Sequence, residues 1–287
     1  MELTFNWKQA SNLWLVCLLC FPALCLVRCS PLKSAYLDEV KKGLSEQYPD
    51  TLLTEADVKD LPLPIQNYLR YVKALNKPKV RNFRIFFTGQ LRQDSASGWM
   101  KFSSEQYNFM QNPTRLFFLK AVMKGLPVRG LHSYKGGNAF MDIRLFSLFK
   151  VQYQKGPEMG ISETVTFFND MCCLAPATLI DRRITWMEVN GNEVKAKFTC
   201  NKITIAAILH FNEKGQLVNF VSEDRYAQMK DNSMKRFRWS TPLQDYKEFN
   251  GRMLPTYAEA IYSYPDGDFC YGTFRITGVE YNCKDLQ

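Results

Sequence analysis

From Val80 onward, apolar and polar positions alternate with period two, in runs of strand length separated by turns rich in Gly, Asn, Asp and Pro. In residues 83–92 the odd positions are mostly apolar and the even ones mostly polar, as in a half-buried strand. Strands are predicted next at 99–110, 115–124, 128–134, 139–145 and 149–153. A second series opens with 184–189 and 194–200, joined through Asn190-Gly191 as a two-residue hairpin. It continues through 203–211, 217–224, 236–240, 243–249, 252–264 and 269–281. Short turns between consecutive strands predict antiparallel meanders.

One stretch breaks the alternation. Ile161, Val165, Phe168 and Cys172 recur at helical spacing, and Phe167, Met171 and Leu174 widen the stripe. Pro157 opens this helix and Pro176 stops it, which predicts a central helix over 158–175. Two meanders flanking one apolar helix cannot each bury a face alone, whereas a curved sheet wrapped about that helix buries both. The expected fold is therefore α+β and mainly antiparallel β. It is a strongly curved half-barrel or open barrel around a central helix, with N-terminal helices; a two-sheet sandwich is the alternative.

Ahead of the sheet, Leu37, Val40 and Leu44 share one helical face, and Ile65, Leu69, Val72 and Leu75 another. This predicts a helical stalk and a packing helix over 30–78, with the curved domain over 79–287. Residues 13–27 form an apolar run of about fifteen, short for a bilayer span and near the length of a signal-peptide core. Residues 1–29 are thus expected to be a signal peptide or an N-terminal membrane anchor. That places the body in an exported or membrane-anchored, extracytoplasmic setting. Lys8 against Arg28, Lys33, Lys41 and Lys42 argues for the opposite orientation.

Composition sharpens this picture only in part. The formal charge of +9 over 287 residues is spread thinly, without the block of like charges that marks a nucleic-acid arm. The densest basic cluster, Lys235, Arg236 and Arg238, alternates with Phe237 and Trp239 as on a solvated strand face, and no nucleic-acid partner is expected. A mild attraction to anionic lipid headgroups fits the same charge. Cys172, Cys173, Cys200, Cys270 and Cys283 show no CxxC spacing, and only His132 and His210 supply imidazole. Free thiols and no metal site are expected, and no nucleotide-binding loop is present to call for a cofactor.

Several phrases resemble a known family: Leu61-Pro62 with Tyr68-Leu69, Phe87-Thr88-Gly89 with Trp99, Gly125-Leu126-Pro127 and the stretch 163–181. Phe211-Asn212-Glu213, Asp224-Arg225-Tyr226, Trp239-Ser240-Thr241-Pro242 and Leu254-Pro255 extend the likeness over about 60–282. The family is an uncharacterised, mostly bacterial domain of unknown function, often with an N-terminal membrane segment. It carries no accepted activity. By its order of strands, helix and strands the chain also looks like the lipoprotein-carrier (LolA/LolB-like) half-barrels, which hold acyl chains between a curved sheet and helices; fold alone does not transmit function.

Candidate chemistry lies on the helix, at the end of the strand 217–224 and in the strand that follows it. Glu163, Thr166 and Asp170 share a helical face opposite much of the apolar stripe. The surface preference of charged residues turns that face toward water; lining a cavity instead, the two carboxylates would be placed for acid–base work. Arg225, beside Tyr226 and near Trp239, can clamp a polar headgroup, or pair with Asp224 to close a hairpin. Residues 116–122 and 140–149 carry large apolar groups on both faces, which suits a sheet covered on one side and lining an apolar cavity on the other. The reading that follows is a membrane-associated or exported binding protein that encloses a lipid or other hydrophobic small molecule. Arg225, Tyr226, Trp239, Glu163, Asp170 and Phe167 are its candidate ligand contacts. A carboxylate-dependent hydrolase and a structural or partner-binding module are the alternatives.

Overall fold

The structure is a computed structural model that describes residues 31–46, 49–229 and 231–286. The expected signal or anchor segment, 1–29, lies outside the described residues. Thirteen antiparallel strands form one sheet in the order β6-β5-β4-β3-β2-β1-β13-β12-β11-β10-β9-β8-β7. In chain order they are β1 (Asn82–Leu91), β2 (Met100–Phe109), β3 (Thr114–Met123), β4 (Leu126–Lys135), β5 (Asn138–Leu145) and β6 (Phe149–Lys155). After the central helix come β7 (Ile184–Asn190), β8 (Glu193–Cys200), β9 (Ile203–Phe211), β10 (Leu217–Gln228), β11 (Met234–Phe249), β12 (Arg252–Tyr264) and β13 (Gly267–Tyr281).

Each half is a meander, as the short turns require. The halves are joined by a long-range pair, β1 with β13, in which Phe83 faces Tyr281 and Leu91 faces Gly272. Gly89 permits this seam: a Cβ there would lie 1.9 Å from the Thr273 carbonyl oxygen. The edges of the sheet are β6 and β7, the two strands that flank the central helix in sequence. The helix must therefore carry the chain from one edge to the other, and it does so across the concave face.

That helix is α4 (Pro157–Leu174), preceded by α1 (Pro31–Leu44), α2 (Glu55–Val58) and α3 (Leu63–Tyr71). It is buried on nearly all sides, as an internal rod must be. Phe168 stacks on Phe198 at 5.2 Å, and Phe167 sits 5.5 Å from Tyr134. Buried hydroxyls turn back on the helix itself: Thr164 donates to the Gly160 carbonyl at 2.8 Å and Thr166 to that of Ser162 at 3.1 Å. At its C-terminal end, where helix carbonyls lack internal partners, Tyr68 of α3 donates to the Cys172 carbonyl at 2.8 Å and Tyr281 of β13 to that of Leu174.

In the N-terminal segment, expected as a helical stalk and a packing helix, α1 lies on the sheet and buries Leu32, Tyr36 and Val40 against Tyr107, Phe109, Leu116, Phe118 and Leu131. Alternate residues of β3 thus go to opposite partners, Leu116 and Phe118 to α1, Phe117 and Leu119 to the concave core. Two strand boundaries also differ. β11 runs unbroken through Thr241-Pro242, and β10 continues past Asp224 to Gln228 after a bulge between Ser222 and Arg225.

Candidate functional site

Between α4 and the concave face lies a hollow of about 210 Å³. Its walls are mostly apolar, from Phe87, Leu119, Val128, Leu243 and Ile276 among others. Gly130 leaves room in one wall, where a Cβ would make only ordinary contact with Leu119 at 3.6 Å and Ile143 at 3.7 Å. The lining becomes partly exposed at Leu91, Met100, Ile143, Tyr257, Tyr271 and Phe274, which mark the mouth.

The polar wall belongs to the helix, and here the structure overturns the solvent-facing expectation. Glu163, Thr166 and Asp170 are 3%, 8% and 5% exposed, and all three line the hollow. Such carboxylates persist in an apolar interior only when matched by cations and hydrogen bonds. Arg115 of β3 supplies both: Nε donates to Asp170 Oδ2 at 2.8 Å, Nη1 to Glu163 Oε2 at 3.1 Å and Nη2 to Gln106 Oε1 at 3.0 Å. Gln106 and Asn108 of β2 also donate to Asp170 Oδ2, at 2.7 and 3.1 Å.

Arg225 approaches Glu163 from the other half of the sheet. Its bulge turns the side chain inward, where Nη1 donates to the Ser162 carbonyl at 2.8 Å and to Thr166 Oγ1, and Nε donates to Tyr262 Oη at 3.1 Å. Nη2 is 3.6 Å from Glu163 Oε1, and the guanidinium lies 4.6 Å from the Trp239 ring centroid. It does not pair with Asp224, whose partner is Arg236 at 3.3 Å. Burial pushes the Glu163 carboxyl upward, but Arg115, Arg225 and His132 outweigh it and hold the group below its ordinary value. For Asp170 burial prevails over Arg115, Asn108 and Gln106, and its proton affinity is raised.

Of the sequence-predicted site residues, the structure brings Glu163, Asp170, Arg225 and Trp239 together on the lining. Tyr226 and Phe167 are elsewhere. Tyr226 lies under Arg236 on the outer surface and accepts its hydrogen bond at 3.1 Å, while Phe167 is wholly buried between Tyr134 and Phe198. Each points away because strand side chains alternate and the helix has a second, core-facing side.

Three contributors were missed. Arg115 opens a strand read as apolar on both faces and Gln106 lies in the strand before it, and the shared parity of Arg115 with Phe117 and Leu119 was the available signal. His132 also lines the hollow, 5.7 Å from the Phe117 ring, and burial lowers its pKa to about 4, leaving a neutral imidazole at pH 7. No hydrogen bond joins it to a serine, threonine or cysteine among the described residues. The arrangement can therefore present polar groups to one end of an apolar molecule. As an acid–base pair, Glu163 and Asp170 have proton affinities pushed apart, but each is already bonded to an arginine.

Cys172, Cys173 and Cys200 are buried free thiols, and Cys270 and Cys283 are free and half-buried. Burial pushes the Cys172 and Cys173 thiols well up, away from the reactive thiolate. Among the described residues no cluster of His, Cys, Asp and Glu has the form of a metal site, and no helix is long and apolar enough to cross a membrane.

Comparison with known proteins places these features in context. No curated protein matches the sequence. Solved structures similar to the chain include a LolA superfamily protein from Nitrosomonas europaea, at 10% identity and TM-score 0.42, covering 79% of this chain and 96% of that one. A putative outer membrane lipoprotein-sorting protein domain from Vibrio parahaemolyticus follows at 9% identity and TM-score 0.41, with 72% and 87% covered. A DUF1329 family protein from Desulfovibrio piger has 9% identity and TM-score 0.44, with 78% and 93% covered. A model of a family of unknown function matches residues 51–274. The chain, with its curved sheet, internal helix and buried arginine–carboxylate cluster, belongs to that family, DUF6544.

Proposed function

We propose that this protein binds a hydrophobic small molecule, of the lipid or acyl-chain class, in the hollow between α4 and the curved sheet. The observation that carries the reading is an apolar-walled space with its polar groups gathered on one side. An apolar occupant supplies the dispersion contacts that the unfilled apolar wall lacks. Each methylene brought in from water contributes about 0.8 kcal/mol. A cavity of roughly 150 Å³ takes benzene, so this one holds a short acyl segment or small ring, and a longer chain continues toward the mouth.

The polar end meets Arg225 and His132. Arg115 is engaged by Asp170, Glu163 and Gln106, whereas Arg225 Nη2 has only the loose 3.6 Å contact with Glu163. Two arginines facing two carboxylates leave little net charge, so a neutral or singly charged headgroup fits better than a multiply charged one. The apolar run at 13–27 supports export or membrane attachment of the chain.

Extraction of the purified protein with organic solvent, followed by mass spectrometry, tests the reading. A reproducible lipid or acyl compound is expected. Gly130→Phe, which projects a ring into the hollow, is expected to lose that compound while keeping the β-rich circular dichroism spectrum. Protein that comes up empty from every preparation, or that keeps its ligand in Gly130→Phe, overturns the reading.

A further inference from the structure

The cavity mouth continues outward into two hairpin tips whose chemistry the fold itself does not use. The β3–β4 tip exposes Val122, Met123 and Leu126, and the β5–β6 tip exposes Phe146, Leu148 and Phe149, with Phe149 67% exposed. The tips are neighbours in the sheet, since Val128 faces Leu145 and Phe146 donates its N–H to the Pro127 carbonyl at 2.9 Å. Beside them Trp99, also exposed, precedes Met100 of the lining. Among the described residues the other exposed large apolar ones are Val151 and Tyr153 farther along β6, the pair Met187 and Val189 on β7, and Leu52 and Leu63. An exposed apolar cluster of this kind marks a surface for association.

The backbone is a second, independent sign. In the three-residue β5–β6 loop Phe146 and Ser147 have φ of +51° and +64° and Leu148 donates its N–H to the Leu145 carbonyl at 3.0 Å, a left-handed central pair for which Asn and Gly are the ordinary residues. A phenylalanine in that conformation adds strain, and at 43% exposed Phe146 leaves much of its ring in water, the pattern of a residue kept for contact with something else. Charge indicates what that is. Lys120, Lys124, Arg129, Arg144 and Lys150 surround the tips, and between residues 120 and 150 the only acidic side chain is Asp142, already held by Arg144 at 2.8 Å.

We propose that the β3–β4 and β5–β6 tips dock on an anionic lipid bilayer, with Met123, Leu126, Phe146 and Phe149 in the interfacial layer and the lysines on its phosphates. The cavity mouth then opens onto the membrane, and an apolar ligand passes between bilayer and hollow without crossing water. The route of exchange rests on the ligand-binding reading, whereas the docking surface stands on the tips alone.

Hydrogen–deuterium exchange of the full chain tests the proposal, on vesicles of phosphatidylcholine alone and of phosphatidylcholine with phosphatidylglycerol. Any anchoring by the N-terminal run is common to both. The expected result is several-fold slower exchange at 122–126 and 146–150 on the anionic vesicles, with no change at the equally exposed β7–β8 turn. Combined Met123→Ser and Phe149→Ser substitutions should abolish the slowing, and Lys120→Gln with Lys124→Gln and Lys150→Gln should remove the difference between vesicles. Equal exchange on both vesicle types overturns the proposal, as does slowing at the tips without vesicles as the protein is concentrated, which would assign the surface to a second copy. Ligand content measured on the same samples separates the two readings: slowed tips on an empty protein sink only the carrier, and a loaded protein with unchanged tips sinks only the docking.

Discussion

Glu163 is held between two guanidinium groups, and its removal is costly for that reason. Glu163→Gln leaves Arg115 and Arg225 buried with one carboxylate between them, a loss of about 3 kcal/mol. Asp170→Asn should cost less, because burial already disfavours the charged form of Asp170 whereas the site favours that of Glu163, and an amide oxygen can still accept from Arg115, Gln106 and Asn108. Urea unfolding of the two variants at neutral pH checks the order, and equal losses would contradict it. The two carboxylates also respond to acid in opposite senses. The Glu163 contribution is present above its unfolded pKa and lost as pH falls through its depressed folded value; Asp170, with its folded value raised, weakens the fold as pH rises through that value. His132 adds a window of its own. With its pKa lowered from 6.5 to about 4, the unfolded chain binds the proton more readily, so stability falls as pH drops across that interval, by up to about 3 kcal/mol. His132→Phe should flatten the stability profile between those limits in denaturant titrations at stepped pH. At this scale the sequence was partly legible. Arg225, Trp239 and the Glu163–Asp170 pair were identifiable by type and spacing, but whether the helix face met water or a hollow depended on strands distant in sequence.

The elements were more legible than the contacts between them. Period-two alternation located the strands, and helical spacing between Pro157 and Pro176 located α4 to within a residue at each end. The misreadings came from local breaker signals that tertiary pairing overrode. Pro242 sits within β11 opposite Asn219, and the bulge at Ser222 to Arg225 lets β10 continue past 224, where the strand was expected to end. The tightest contact of α4 was likewise invisible beforehand. A Cβ on Gly160 would lie 2.2 Å from the Gly137 carbonyl oxygen of the β4–β5 turn. In an isolated helix Gly160→Ala would be worth about 1 kcal/mol of stabilisation. Here the obstacle is backbone, so the helix must back away, and a net loss of about 1–3 kcal/mol is expected. Gly98→Ala, where nothing lies within 4 Å, is the neutral control. Thermal melts of the two variants decide it, and an unchanged or raised midpoint for Gly160→Ala would show that the helix has slack.

For the molecule as a whole, one pairing decides the shape. Meanders β1–β6 and β7–β13 follow from short turns, but their union depends on β1 finding β13, with every other strand and α4 between them in sequence. That seam leaves β6 and β7 as edges, sends α4 across the concavity and brings Arg115 and Arg225, from opposite halves, to the same glutamate. The amino-acid sequence by itself determined what is local: the positions of strands and helix, the doubly apolar β3, the curl needed to cover one rod, and the membership of a family with no assigned activity. Tertiary structure alone decided the register of the seam, the outward docking of α1, the inward turn of the polar helix face and the hollow it borders. The physical reason is range. Periodicity and turn chemistry act over a few residues, whereas the burial of a charge is settled only by whichever distant side chain arrives to balance it.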